Sequence, residues 1–378
     1  MKFKRKESGK PQFDFPAPMY FIAKIVKTVP SLGKTLHSLE LSKIGKKIKT
    51  IQVDRPIYVT GLARAGTTIT LEMLSQHPDV ATHRYLHMVL PYAPQLVQWI
   101  ADKTPLMLSP TERIHKDGIM VNRNSPEAVE EIFWQRYFKN TLDESKTNIM
   151  RADSNNPEFE TFYRDHIKKL LLDQKRTRYA AKNNYNVSRL EYLQRIMPNV
   201  KFLIIIRNPF DHIASLAKQD IIMSEIERQD PRLLDWTKII GHREFGTAKI
   251  CINFDDSDLV KEIRNDWKDK MTYVAGWAKY WASVYSYVHE TMKNNSKLDE
   301  AVLIVKYETL CEEPDQTIDR ILEHTELDPS KFKEVKQRYI ESLHPPTYYS
   351  VKYTDEETES IKAITGPVAK LFGYDLTS

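Results

Sequence analysis

The residues best suited to chemistry fall in two short segments and around a few isolated side chains. The segment Ile57-Tyr-Val-Thr-Gly61-Leu-Ala-Arg64-Ala-Gly66-Thr67-Thr68 passes from an apolar run into a stretch with apolar positions at Ile69, Met73 and Leu74. A glycine-bounded turn at the start of a helix aims backbone N–H groups outward, where the helix dipole also favours an anion. The Gly61-x4-Gly66 spacing is that of a nucleotide phosphate loop, yet Thr67 stands where such loops place the lysine that reaches the β- and γ-phosphates. That difference speaks against ordinary ATP or GTP chemistry. Arg64, inside the loop, instead offers a planar guanidinium able to hold two oxygens of one anion. Taken alone, the pattern also fits a plain strand-turn-helix with a solvated arginine.

The second segment, Arg207-Asn-Pro-Phe-Asp-His-Ile-Ala-Ser215, follows the apolar run Phe202–Ile206. It places a guanidinium at the carboxyl end of a strand, the edge where open α/β sheets bind ligands, and a hydroxyl about two helical turns further on. A fork and a hydroxyl so spaced could grip two sides of one phosphate group. Read singly, they equally fit a strand-end ion pair and a small packing residue. Two anion-holding features in one α/β chain shift the balance towards a ligand.

For proton transfer the preferred residue is His87, in His83-Arg-Tyr-Leu-His87, because an unperturbed imidazole titrates near neutrality. His83, Asp117 and Glu244 are the alternatives. His83 and His87 at i, i+4 are half of a metal site, but no glutamate sits between them in a zincin arrangement and no third ligand is apparent, so no metal is expected.

The elements that must position these groups alternate short apolar runs with helical patterns. This implies an α/β fold with a P-loop-like central parallel sheet flanked by helices, in a single domain. Strands are expected at Pro56–Thr60, Tyr179–Lys182, Phe202–Ile206 and Val302–Lys306; the unalternating Phe202–Ile206 reads as a strand buried on both faces. Ser188 with Glu191 predicts a capping box, and Ser125-Pro126 predicts a helix start. Between Met271 and Met292, Trp277, Trp281, Val284 and Val288 recur at helical spacing as a core stripe.

Composition sets the outer limits. The chain has 378 residues, 41% hydrophobic, enough for one large core. Its net charge of +5 is uneven: residues 1–50 hold twelve Lys/Arg against Glu7, Asp14 and Glu40, a net +9, which leaves −4 for the rest. A nucleic-acid-binding body is therefore not expected. Cys251 and Cys311 suit neither a disulfide framework nor a metal site. No apolar run approaches the roughly 18 residues that span a bilayer. Asp14, Lys24 and Lys27 break the apolar stretch after the basic start, so no secretory signal is expected and the location reads as cytoplasmic. Residues 1–50 read as a basic arm on a catalytic domain of 51–378. The arm's apolar residues and lysines suit either an interfacial helix on anionic lipid at the inner membrane face or an arm folded over the domain.

The loop Gly61-Leu-Ala-Arg-Ala-Gly-Thr-Thr68 together with Arg207 and Ser215 resembles the sulfotransferases that use 3′-phosphoadenosine 5′-phosphosulfate (PAPS). The match looks closest to the broad microbial group whose loop is similar to that of tyrosylprotein sulfotransferases. It extends through Tyr179-Ala-Ala-Lys-Asn183, Met197-Pro-Asn-Val-Lys-Phe202 and Val305-Lys-Tyr-Glu-Thr-Leu310, roughly residues 55 to 330. Two family features are missing: the late Arg-Lys-Gly element is not evident, and Arg84-Tyr85 replaces the acidic pair of the tyrosylprotein branch. The resemblance implies that Gly61, Arg64, Ala65, Gly66, Thr67 and Thr68 bind the 5′-phosphosulfate and that Arg207 and Ser215 bind the 3′-phosphate. Lys182 matches by position a lysine that the family places on the phosphosulfate. His87 lies where related proteins put their base. The implied reaction moves a sulfuryl group from PAPS to an acceptor hydroxyl, as on a glycan or glycolipid, and releases 3′,5′-adenosine bisphosphate, with no metal. His87, Lys182 and Arg64 are then the catalytic set. The rival readings are a P-loop-type kinase or NTPase and a catalytically inactive nucleotide-binding protein of the same fold.

Overall fold

A computed structural model of the chain describes residues 2–5, 15–104, 109–112, 120–345 and 349–376. Asp117 lies outside the described residues. Five parallel strands form the central sheet: β1 (Ile57–Thr60), β2 (Val80–Ala81), β3 (Arg178–Lys182), β4 (Lys201–Ile206) and β5 (Val302–Lys306), in the spatial order β2-β3-β1-β4-β5. In register, Tyr58 lies between Ala181 and Phe202, and Ile206 faces Lys306. Because side chains alternate along a strand, the sheet divides the apolar residues between two cores. Tyr58, Tyr179, Phe202, Ile204 and Ile206 enter one core, while Ile57, Val59, Ala180, Leu203 and Ile205 enter the other. Burial on both faces is why β4 reads as an unbroken apolar run.

Eight helices matter for the site: α1 (Ala17–Thr28), α2 (Pro30–Ile48), α3 (Thr67–Ser75), α4 (Pro157–Gln174), α5 (Pro209–Gln229), α6 (Tyr273–Lys293), α7 (Tyr307–Glu312) and α8 (Asp355–Leu371). The stripe of α6 is core as expected, with Trp277, Trp281, Val284 and Val288 all fully buried against α5 and α8. Two sequence signals gave way to tertiary contacts. Ser188 ends a tight turn and donates to the Tyr185 carbonyl, while the helix Leu190–Ile196 starts from Arg189 with no side-chain cap. A buried, two-bond ion pair of Arg189 with Glu131 fixes that start instead. Pro126 begins no helix: it bridges Arg84, and the Ser125 hydroxyl accepts from the Asn122 amide. The pair Val80–Ala81 is too short to carry a sequence signal and was not anticipated.

The basic arm lies against the body. Val29 separates its two helices, the second of which begins at Pro30, and Met19, Tyr20, Ala23 and Val26 on α1 join the same core as the sheet. Glu40 of α2 pairs with Lys169 of α4 at 2.8 Å, with side-chain exposures of 7% and 0%. An ion pair so desolvated persists only where its geometry is good, and it locks α2 to α4. On the other side of α1, Phe21, Ile22, Ile25 and Val29 stand exposed along one face. Among the described residues no helix is long and apolar enough to cross a membrane.

Candidate active site

Strands β1 and β4 are neighbours and end at the same edge, so the turn after one and the arginine after the other converge. Arg64 Nε lies 3.3 Å from Ser215 Oγ, and Arg207 Nη1 lies 3.5 Å from the Arg64 carbonyl oxygen. Both glycines of the loop are required. Gly61 has φ +134°, and a Cβ there would sit 2.3 Å from the Ile205 carbonyl oxygen. Gly66, at φ +108°, has the ring of Tyr307 where a Cβ would go, 2.4 Å away. The loop can therefore approach β4 and α7 only without side chains at these positions. Arg64 itself is left-handed at φ +71°, a conformation that costs a non-glycine residue on the order of 1 kcal/mol and that tight supports must hold.

Those supports are visible. His212 Nε2 lies 2.9 Å from the Ala63 carbonyl. Burial pushes the His212 pKa down to about 3, so the ring is neutral and this nitrogen is the donor. The Leu62 amide donates to the Tyr285 hydroxyl, which donates to the Ile205 carbonyl at 3.0 Å. On the arginine side, Glu308 accepts from the Asn208 amide and from the Tyr374 hydroxyl, both at 2.8 Å. The Asn208 side chain caps α5, whose first residue is Pro209. Arg207 is 5% exposed, and its guanidinium lies over the Tyr307 ring at 5.2 Å. His212 and Glu308 lie in stretches that sequence reasoning had singled out, but nothing in their spacing said which carbonyl or amide they would meet. Tyr285, on α6, carried no signal beyond its helix.

The third wall is the turn after β3. Lys182 Nζ lies 3.4 Å from Thr68 Oγ1, which brings the lysine to the first turn of α3. Asn183 donates to Glu131, the partner of Arg189, so a buried ion pair anchors the turn. Asn184 then spans the site: its Oδ1 faces Thr67 Oγ1 at 3.4 Å, and its Nδ2 donates to Glu244 Oε1 at 2.9 Å. Glu244, in the loop after the helix Arg232–Ile240, is half-buried and stands one side chain from the start of α3. The structure thus gathers Gly61, Arg64, Ala65, Gly66, Thr67, Thr68, Lys182, Arg207 and Ser215, and adds Glu244.

His87 is placed elsewhere. It is fully buried, its Nδ1 accepts from the Arg84 amide at 2.9 Å, and its described contacts include none to the loop. Burial, then His83 and Arg84, hold its pKa well below the ordinary value. His83 belongs to the same buried polar chain, facing His166 at 2.9 Å and Tyr179 at 3.0 Å. Tyr179 and Tyr163 both donate to Glu130 Oε1. Burial pushes the Glu130 carboxyl up to about 7, and the two tyrosine hydrogen bonds offset only part of the rise. Folding therefore favours protonated Glu130: its contribution is intact below about pH 4.5 and is lost as pH rises towards 7. Glu130→Gln is accordingly expected to be the more stable protein at pH 8 relative to pH 5. The variant-minus-wild-type difference in urea unfolding free energy should rise by on the order of 3 kcal/mol across that range. A difference that stays flat would mean that Glu130 does not titrate there.

A parallel sheet with a glycine loop at its carboxyl edge and an arginine just past the adjoining strand defines a P-loop-like α/β protein. Residues 56–238 match the model described as "Sulfotransferase family", a match that, with the fold, supports a sulfotransferase family. Such a family implies a transferase with a nucleotide sulfate donor and an acceptor. The crystal structure of sulfotransferase STF9 from Mycobacterium avium is similar in fold, with TM-score 0.54 and 13% identity over 89% of this chain and 82% of that one. STF1 from Mycobacterium tuberculosis H37Rv matches at TM-score 0.47 and 13% identity, over 89% of this chain and 81% of the other. A sulfotransferase from Alicyclobacillus acidocaldarius matches at TM-score 0.39 and 14% identity, over 84% and 94%. No curated protein sequence matches the chain.

Proposed function

We propose that the chain moves the sulfuryl group of PAPS to an acceptor hydroxyl and releases 3′,5′-adenosine bisphosphate. One observation carries this reading: the lysine-free loop and the Arg207–Ser215 pair meet, through Arg64, at one edge of the sheet. A donor with phosphate at both the 3′ and 5′ positions would use both halves. The 5′-phosphosulfate lies on the loop and the first turn of α3, and the 3′-phosphate lies between Arg207 and Ser215.

In this reading the acceptor oxygen attacks sulfur in line, and the sulfur–oxygen bond to the 5′-phosphate breaks. The charge gathering on the leaving phosphate oxygen is met by Lys182, Arg64 and the amides of α3. The acceptor proton goes to Glu244, which is half-buried at the site and fixed by Asn184. Glu244 replaces His87 in this role because His87 is fully enclosed. Thermal-shift titration tests donor binding: 3′,5′-adenosine bisphosphate should stabilise the protein well beyond ATP or GTP, and equal shifts would reject the site. The family match does not favour a kinase or NTPase. Transfer of labelled sulfate from PAPS separates an active enzyme from an inactive relative.

The acceptor is proposed to be a glycan or glycolipid hydroxyl reached near a membrane. What supports this is the face of α1, where Phe21, Ile22, Ile25 and Val29 are exposed on an arm rich in lysine. Such a face can sit in the headgroup layer of anionic lipid. Full-length protein should float with anionic vesicles, and replacing Phe21 and Ile25 by Ser should abolish flotation. Protein that stays in the unbound fraction would reject the membrane contact.

A further inference from the structure

Across the sheet from the loop, beneath the amino ends of β1 and β4, lies a cavity of about 490 Å³. Lys49, Arg55, Arg164, Lys168 and Arg195 line it, and none of its described lining residues is acidic. Neighbouring acids neutralise part of this charge. Arg55 pairs with Asp54 at 2.8 Å and with Glu326 at 2.6 Å, and Glu160 pairs with both Arg195, at 2.6 Å, and Arg164, at 3.9 Å. Lys49 and Lys168 have no ion pair among the described residues, and Arg164 and Lys168 stand one turn apart on α4. Ile51, Ile196 and Met197 add an apolar part to the lining. Convergent cations over a low-dielectric wall raise the local concentration of anions. The wall favours an anion that has an apolar body. The cavity is also too far round the sheet to be part of the transfer site, since it borders Pro56 and Asn199, which precede β1 and β4, whereas the loop follows β1.

We propose that this cavity is a second anion site, one that takes a phosphate monoester carried on a partly apolar molecule. The same chemistry could reach it as a soluble metabolite or as a lipid headgroup. Phenyl phosphate, inorganic phosphate and phenol serve as calorimetric probes, with phosphatidic-acid and phosphatidylcholine vesicles as the lipid arm. Phenyl phosphate should bind about tenfold tighter than inorganic phosphate, phenol should not bind, and the double variant Lys49→Glu/Lys168→Glu should lose at least about tenfold. The milder Lys49→Gln/Lys168→Gln should fall between, which separates a lost site from a misfolded chain. With Phe21 and Ile25 replaced by Ser to remove the α1 contact with anionic lipid, capture by phosphatidic-acid vesicles that the double variant abolishes would identify a lipid source. Saturable binding of phenyl phosphate alone would identify a soluble one. With the transfer site filled by saturating 3′,5′-adenosine bisphosphate, phenyl phosphate should bind as before, so this site stands or falls apart from the transfer reading. No saturable binding of any phosphate probe, binding unaltered in the double variant, or binding lost when the bisphosphate is present would overturn it.

Discussion

Glu244→Gln is expected to cut turnover by about 10²- to 10⁴-fold, the usual worth of a positioned general base, while donor affinity stays within about twofold. The substitution is nearly isosteric. Asn184 Nδ2 now donates to Glu244 Oε1, and the replacement amide oxygen can accept the same bond, so Asn184 keeps its place against Thr67. What disappears is the ability to take a proton. Pre-steady-state measurement should place the loss in the chemical step. His87→Asn makes the contrast, because an Asn oxygen can accept the Arg84 amide as His87 Nδ1 does. That variant should keep turnover within a few-fold once melting temperatures are matched. The reverse pattern, with His87→Asn inactive and Glu244→Gln active, would return proton transfer to the buried histidine chain.

The contrast between these residues shows what could be read in the sequence. Gly61, Arg64 and Arg207 were legible because their demands are local: a turn without side chains, a helix start, and a charge at the end of an apolar run. The sheet was legible for a similar reason, since β4 and β5 carry enough consecutive apolar residues to mark themselves. The proposed base is different. Glu244 lies 178 positions beyond Gly66 in the chain. Its link to the site is Asn184, two residues past β3, which bonds Glu244 on one side and faces Thr67 on the other. No local pattern records such a crossing. His87 had suitable chemistry in isolation, but enclosure by His83, Arg84 and the core is a property of the folded whole. The two failed helix starts teach the same point. Ser188 and Ser125 are sound capping residues, but each spends its hydroxyl on a turn three residues back, while distant partners, Glu131 for Arg189 and Arg84 for Pro126, fix the chain beside them.

Arg207→Ala bears most directly on the donor. It is expected to weaken 3′,5′-adenosine bisphosphate by about 10- to 100-fold, since a guanidinium on a phosphate contributes roughly 1.5–3 kcal/mol. AMP, which lacks the 3′-phosphate, should weaken by no more than about threefold. The comparison guards against a trivial cause. Arg207 also approaches the Arg64 carbonyl and covers the Tyr307 ring, so removing it could loosen the loop. A loosened loop would weaken both ligands alike, because both place a 5′-phosphate there. Ser215→Ala should reproduce the selective pattern at smaller size, as a neutral hydroxyl is worth less than a charged fork. Combining the two substitutions should cost less than the sum of the single losses, because both side chains would hold one phosphate group. Equal losses for the bisphosphate and AMP, or strictly additive ones in the double variant, would mean that Arg207 and Ser215 do not share a phosphate.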